Sequence, residues 1–202
     1  MAAVRQARKQ ATRERVLAAA RDLFEEVGYD EATIRLIAQR AGVSVGSVFT
    51  TFANKAEILS QVMQDRLEHL YAELDAVLPH LRGSYADRLR SIMAIHYNFE
   101  MRRPRLFAAF VASSFTPFDA KTVVPFGRNE RLKGMLRDVL REGVEAGAVR
   151  KDADIDLFVE TMMAAYGFNY RRAVHESADA QALTDLMDRQ IGLLFDGVRA
   201  EP

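Results

Sequence analysis

Apolar residues along this chain recur at the three- and four-residue spacing of amphipathic helices and not at the alternating spacing of strands. Only five prolines and eleven glycines interrupt the pattern. The pattern therefore predicts an all-α fold. Helices are predicted at residues 16–27, 33–41, 44–52, 54–78, 85–102, 104–116, 128–146, 155–169 and 179–198.

The predicted helix ends carry residues that favour them. Thr33 and Ser44 are hydroxyl N-caps for two short helices. Asn54, with Glu57 three residues later, resembles a capping box at the start of a long helix. The apolar stripe of the first helix is expected to run as far as Val27.

The most informative segment is TIRLIAQRAGVSVGSVFTTF, residues 33–52, which reads as two short helices joined by a glycine-containing turn. This is the layout of a helix-turn-helix, whose second helix enters the major groove of DNA. Ala38 provides the small residue that two closely crossing helices need, and Gly42 suits a turn with positive φ. For this segment taken alone, an ordinary helical hairpin is the alternative interpretation.

The charge of the chain is unevenly distributed. The 28 basic and 28 acidic residues cancel over the whole sequence. Residues 33–55 nevertheless carry +3, residues 1–15 carry +4, and the remainder carries −7. A basic N-terminal arm and helix-turn-helix against an acidic remainder favour a nucleic-acid partner for the N-terminal region.

The stretch TIRLIAQRAGVSVGSVFTTFANKAEIL, residues 33–59, preceded by LFEEVGYDEA, resembles the DNA-binding region of TetR-family transcriptional regulators. The resemblance implies a three-helix DNA-binding domain at residues 1–53 and a larger helical ligand-binding and dimerisation domain at residues 54–202. It also implies a ligand-responsive repressor: a homodimer that binds a palindromic double-stranded DNA operator until a small-molecule effector changes the spacing of its two heads. The matching positions are Phe24, Gly28, Tyr29, Thr33, Ile34, Ile37, Ala38, Ala41, Gly42, Val43, Ser44, Gly46, Phe52 and Lys55.

The resemblance implies that the start of the second short helix faces base edges, and that Thr33 and Lys55 contact phosphates. The family often has Lys where Val45 stands, and Tyr where Phe49 and Thr51 stand. No charged side chain occurs at residues 43–53, so readout is expected from hydroxyls, from Val45 against a thymine methyl group, and from DNA shape. The predicted DNA-binding residues are Thr33, Arg35, Arg40, Ser44, Val45, Gly46, Ser47, Phe49, Thr50, Thr51 and Lys55.

The C-terminal region is expected to hold an apolar or aromatic effector with one or two polar anchors. The run LFAAFVASSFTPF, residues 106–118, is apolar nearly all round, and a later helix places a methionine, a tyrosine and an asparagine at helical spacing. For each of these side chains, filling a hydrophobic core is the alternative. The candidate effector-binding residues are Met93, His96, Tyr97, Phe107, Phe110, Phe115, Met162, Tyr166 and Asn169.

The last two predicted helices carry apolar stripes along nearly their whole length, which favours a homodimer that pairs them with their two-fold mates. No apolar run approaches the roughly 20 residues that span a bilayer, so no membrane partner and a cytoplasmic location are expected.

Several chemistries lack the residues they need. The absence of cysteine excludes disulfides, thiolate metal sites and cysteine nucleophiles. No Glu stands three residues before a His, as a di-iron carboxylate enzyme requires. We therefore expect a non-enzymatic protein with no metal and no cofactor. A helical small-molecule-binding or interaction protein without regulated DNA release is the alternative function.

Overall fold

The computed structural model describes residues 2–113, Phe115, Phe126 and residues 130–200, apart from the side chains of Ala2, Ala3 and Arg5. Within these residues the regular structure is helical, with no strand and a single isolated bridge between Val149 and Arg199. The predicted all-α fold is confirmed. The helices are α1 (Ala2–Glu26), α2 (Ile34–Ala41), α3 (Val45–Phe49), α4 (Lys55–Val77), α5 (Tyr85–Glu100), α6 (Pro104–Ser113), α7 (Glu130–Glu145), α8 (Ile155–His175) and α9 (Ala180–Asp196).

The predicted caps at the two short helices are confirmed. The Thr33 hydroxyl accepts a hydrogen bond from the backbone N–H of Leu36, and the Ser44 hydroxyl accepts one from that of Ser47. The capping box at α4 is confirmed in part: the Asn54 side chain accepts from the N–H of Glu57. The return bond reaches one residue further back, because the Glu57 carboxylate accepts from the N–H of Ala53.

Other boundaries differ from the prediction. The basic N-terminal arm is helical from Ala2 onward, as the first part of α1. Placing Val27 on the core stripe was wrong, because α1 ends at Glu26 and Val27 is 44% exposed. Val198 lies beyond the end of α9, where its carbonyl accepts from the N–H of Arg150. The turn-rich segment after residue 113 lies outside the described residues except for Phe115 and Phe126.

The first of two compact units comprises Met1–His69 and Arg103–Phe126. Within it, α1 packs against α2, α3 and α6. The start of α6 is held to α1 by charge: the backbone N–H of Leu106 donates to the Glu25 carboxylate (3.1 Å), and Arg103 pairs with Asp22 (3.1 Å). Its buried core includes Val16, Ala20, Leu23, Phe24, Ile37, Ala38, Val48, Phe52, Ile58, Leu59 and Val62.

The second unit comprises Leu70–Arg102 and Gly127–Pro202, so the residues of α4 are divided between the units. Within it, α5 packs against α7 and α9, and α8 packs against the same two helices. A complete capping box of Ser84 and Asp87 begins α5. Its buried side chains include Leu70, Leu74, Leu89, Ile92, Met93, Leu136, Val159, Met162, Leu183, Met187 and Ile191. Across the described residues, no helix is both long and apolar enough to cross a membrane.

Candidate functional site

The turn between α2 and α3 fixes the position of a very short helix. Gly42 adopts a left-handed conformation (φ 63°), which a glycine adopts without steric penalty. The N–H groups of Gly42 and Val43 then bond to carbonyls in the last turn of α2. Val48 and Phe52 are buried in the first unit, at 0% and 1% exposure. These contacts leave the opposite face of α3 directed at solvent.

The exposed face of α3 is apolar and uncharged. Val45 is 39% exposed and Phe49 is 55% exposed, although both are large hydrophobic residues. Gly46 and Thr50 are exposed beside them. An exposed apolar patch on a capped helix of this kind is typical of a contact surface, since a free surface position gains nothing from phenylalanine.

The hydroxyl groups around α3 are partly committed to local hydrogen bonds. The hydroxyls of Thr50 and Thr51 both donate to the carbonyl of Ser47, each at 2.9 Å. Ser44 and Ser47 share a hydroxyl–hydroxyl bond of 2.8 Å. Because their protons are used, the two threonine hydroxyls present acceptor lone pairs outward. In a major groove, such acceptors match the amino groups of adenine and cytosine.

Arg40, one of the predicted DNA-binding cations, is paired within the protein. Its guanidinium donates two hydrogen bonds to the Glu26 carboxylate, at 3.1 and 2.9 Å. The bond from Arg40 lowers the pKa of Glu26 and raises that of Arg40. Both side chains are about half exposed, so solvent screens this pair. The Glu26 carboxylate nonetheless offsets the positive charge of Arg40. The net charge of +3 counted for residues 33–55 does not include Glu26, which lies outside that range.

Lys55 likewise contacts its own chain. Its ammonium group donates to the carbonyls of Tyr29 (2.6 Å) and Asp30 (3.2 Å) and lies 4.3 Å from the centre of the Tyr29 ring. Two of its three N–H donors are therefore committed to joining the loop before α2 to the start of α4. Tyr29 contacts Lys55, and Glu26 pairs with Arg40, but neither Tyr29 nor Glu26 was predicted as a DNA-binding residue.

The unpaired cations lie elsewhere in the first unit. Arg35, Arg8 and Lys9 are exposed and form no hydrogen bond or ion pair with any described residue. The predicted phosphate ligand Thr33 is exposed at the start of α2, where its hydroxyl oxygen serves as the cap.

A buried polar network occupies the second unit. Asn169 on α8 donates to the phenol of Tyr97 (3.0 Å) and exchanges hydrogen bonds with the Gln190 side chain on α9 (2.7 and 3.2 Å). The phenols of Tyr166 and Tyr170 lie 3.4 Å apart. Burial raises the pKa of all three phenols, so they are neutral hydrogen-bonding groups.

His96 lies against this network. Its ring is 6.1 Å from the ring of Tyr71 and 5.8 Å from that of Tyr166, measured between centroids. The side chain is 1% exposed, and neither ring nitrogen has a hydrogen-bond partner among the described residues. Burial lowers the pKa of His96 to about 3, so the imidazole is neutral at physiological pH. Glu100, one turn later on α5, is fully buried.

The structure divides the predicted effector-binding residues. It brings His96, Tyr97, Tyr166 and Asn169 together in the second unit, where Met93 and Met162 are also buried. Tyr71, Glu100, Tyr170 and Gln190 belong to the same region and were missed, because none stands out by type or spacing.

The predicted phenylalanines belong to the first unit. Phe107 and Phe110 pack on each other and on Phe126. Phe115 is 86% exposed, so it does not share their buried environment.

Comparison with known proteins bears on both regions. Residues 16–62 match a family model described as bacterial regulatory proteins, tetR family. The chain is 28% identical over 149 residues to the HTH-type transcriptional repressor KstR2 of Mycolicibacterium smegmatis, covering 72% of this chain and 71% of that protein. It is 21% identical to the fatty acid metabolism regulator protein of Bacillus subtilis, covering 70% and 73% of the two chains.

Among solved structures, FadR of Thermus thermophilus, a TetR-family repressor in complex with lauroyl-CoA, has a TM-score of 0.70. The match covers 94% of this chain and 97% of that one, at 24% identity. At this identity the structural match shows the shared fold.

The buried neutral histidine predicts a specific acid sensitivity. An unfolded histidine takes up a proton near pH 6.5, whereas His96 in the folded protein resists protonation down to about pH 3. Stability is therefore complete above pH 6.5 and falls as the pH drops through this window. Between pH 6.5 and 5, His96 alone should remove about 2 kcal/mol from the free energy of unfolding.

Urea unfolding of the wild type, of His96→Leu and of the control Met93→Leu at both pH values measures this effect. The loss on acidification should be smaller in His96→Leu by that amount and unchanged in Met93→Leu. Equal losses in all three proteins would contradict the assignment.

Proposed function

Because the chain belongs to the TetR family of bacterial transcriptional regulators, we propose that it is a repressor that binds a palindromic operator as a homodimer and leaves it when a small apolar effector binds. The regulators of this family are not enzymes. The observation that carries the proposal is the capped α2–α3 pair, within the matched residues 16–62, with the exposed uncharged face of α3. Action on a chromosomal operator implies a cytoplasmic protein.

The chemistry of α3 supports a reading role based on methyl groups and acceptors. Phe49 and Val45 offer apolar contact to thymine methyl groups, and the Thr50 oxygen accepts from amino groups of bases. Arg35 and the basic half of α1 supply the phosphate contacts that give affinity. The neutral helix thus provides specificity, and the flanking cations provide strength.

The last two helices support the homodimer. On α8, the residues Leu157, Thr161, Ala164 and Phe168 are all exposed and recur at three- and four-residue spacing. On α9, Leu193 is 76% exposed. The large apolar side chains among these, Leu157, Phe168 and Leu193, favour burial against a partner, and a two-fold axis would bring two copies of α8 and α9 together.

The second unit supports the effector site. Met93 and Met162 supply adaptable apolar surface, while His96, Tyr97, Tyr166 and Asn169 supply polar groups that orient a ligand. The similar FadR structure contains lauroyl-CoA, which joins an apolar acyl chain to a large, polar, phosphate-bearing coenzyme A group.

The functional division at residues 53 and 54 forms part of this proposal. It separates the reading head from α4, which begins at Lys55 and includes residues of both compact units. An effector that favours one position of α4 would change the separation of the two reading heads in the dimer, with a coupling free energy of about 1–3 kcal/mol.

Selection of bound fragments from random double-stranded DNA tests the DNA-binding function. Enrichment of an inverted repeat with A·T pairs in each half-site is expected, and the free protein should sediment as a dimer at micromolar concentration. A strict monomer, or enrichment of no sequence, would contradict the proposal. Binding that no apolar ligand weakens would instead favour an interaction protein without regulated release.

Removal of thymine methyl groups from the selected operator should weaken binding through Phe49. Deoxyuridine lacks only the C5 methyl group, so each contacted thymine replaced should lower affinity about fourfold. Phe49→Ala should reduce the preference to the part that Val45 contributes, whereas Phe49→Leu keeps the preference because it retains apolar contact. Fluorescence anisotropy titrations measure all three. A preference that persists unchanged in Phe49→Ala would overturn this role.

Release of Arg40 from its partner should strengthen DNA binding. In Glu26→Gln the paired carboxylate is gone, so Arg40 becomes available to one phosphate. The slope of log K against log salt should steepen by about 0.9 for that contact. Glu31→Gln is the matched control, since it removes an equal charge nearby from a side chain with no partner among the described residues.

The double variant Glu26→Gln, Arg40→Gln should not show the steeper slope of log K against log salt, because the extra phosphate contact depends on Arg40. If Glu31→Gln steepens the slope as much as Glu26→Gln does, the effect is general electrostatics and the specific role of the pair fails.

A further inference from the structure

The imidazole of His96 has hydrogen-bonding capacity that the described protein does not use. A neutral histidine carries one N–H donor and one acceptor nitrogen. Both nitrogens of His96 are buried, and neither has a partner among the described residues. Buried polar groups in folded proteins are nearly always paired, because an unpaired one loses its hydration without compensation. The two nitrogens therefore call for a partner that the described side chains do not supply.

The side chains of Tyr97, Asn169 and Gln190 do not show the same deficit. Tyr97 accepts from Asn169 and donates to the carbonyl of Tyr166, at 3.0 and 3.4 Å. Asn169 and Gln190 satisfy each other. Hydrogen bonds within the network thus link the side chains of α8 and α9, whereas none reaches the ring nitrogens of His96.

We propose that His96 anchors a hydroxyl or carbonyl group of the effector, and that the part of the effector that reaches this cluster is uncharged. A hydroxyl group would pair with either ring nitrogen, and a carbonyl group would accept from the protonated one. The aromatic rings of Tyr71 and Tyr166 on either side supply the apolar walls. The inference rests on the proposed function, since it assigns the polar anchor of that effector site.

The charges around the cluster favour a neutral ligand group. The guanidinium of Arg131, 4.8 Å from the centre of the Tyr71 ring, is already bonded to Asp75. The carboxyl group of Glu100 acts electrostatically on Tyr166 and Tyr170 and takes part in further interactions of its own. Arg131 is thus no free counter-ion for an anionic group. Burial lowers the pKa of His96, so positive charge is disfavoured at the same place, and a charged ligand group of either sign would be strongly unfavourable.

A matched set of ligands tests the charge and the polar group together. The neutral probes are dodecanol and the ketosteroid androstenedione, and the charged probes are dodecanoate and dodecyltrimethylammonium, all below their micelle concentrations. At least one neutral probe should raise the melting temperature of the wild type and release it from the selected operator. Both charged probes at the same concentration should do neither. Release by a charged probe, or no response to either neutral probe, would overturn the proposal.

His96→Leu separates a ligand anchor from a structural histidine. Leucine removes the unpaired nitrogens, so the free variant should melt no lower than the wild type at pH 7.5, while its affinity for the neutral probe falls about tenfold. Leu89→Met, buried two turns earlier on α5 and outside the proposed effector site, should keep the wild-type affinity. A lower melting temperature with unchanged affinity would show that His96 is structural, with water on its nitrogens, and would refute the assignment.

The readouts also separate this inference from the proposed function. If the wild type binds no operator, the proposed function fails, and the melting temperatures still decide the role of His96. If wild type and His96→Leu both bind the operator and a neutral probe releases them equally well, only this inference fails.

Discussion

The reading surface depends on how α3 is held, because a helix of five residues does not persist on its own. Its position is fixed at one end by the left-handed turn at Gly42 and the Ser44 cap. It is fixed on its inner face by the buried side chains Val48 and Phe52. Everything that α3 offers outward follows from these few contacts. Any residue other than glycine at position 42 would strain the turn and displace the exposed face.

The cations of the reading head are distributed between structure and binding. Lys55 joins the loop at Tyr29 to the start of α4, and Arg40 joins α2 to the last turn of α1 through Glu26. Both interactions stabilise the arrangement of helices that presents α3. Arg35 on α2 and Arg8 and Lys9 on α1 stay free of described partners, whereas the exposed face of α3 carries no charge. Under the proposed function, the groups that bind phosphates are therefore separate from the groups that distinguish the base sequence.

Local features of this fold could be predicted from the sequence, whereas long-range partners could not. The caps at Thr33 and Ser44 depend on residues three positions apart, and their side chains determine the outcome. The pairing of Arg40 with Glu26, 14 residues away, depends on how α1 and α2 pack, which no local pattern encodes. Val27 continues the apolar spacing of α1, but the helix ends one residue earlier and leaves it exposed.

The same limit applies to the effector region. Tyr71 and Gln190 lie far from His96 in sequence and become its neighbours, or neighbours of its network, only through packing of the second unit.

The proposed effector response has a direct physical route in α4. Lys55 at its start is bonded to the loop before α2, and Tyr71 near its end packs on the ring of His96. A ligand group that bonds to His96 would lie near the Tyr71 ring, whose centre is 6.1 Å from that of the His96 ring. The two contacts are each small, and a coupling of about 1–3 kcal/mol is enough to change operator affinity by roughly 5- to 150-fold. The equilibrium shifts only by as much as the effector prefers one position of α4, so the proposed bond to His96 would change operator affinity only if it forms better in one position of α4 than in the other.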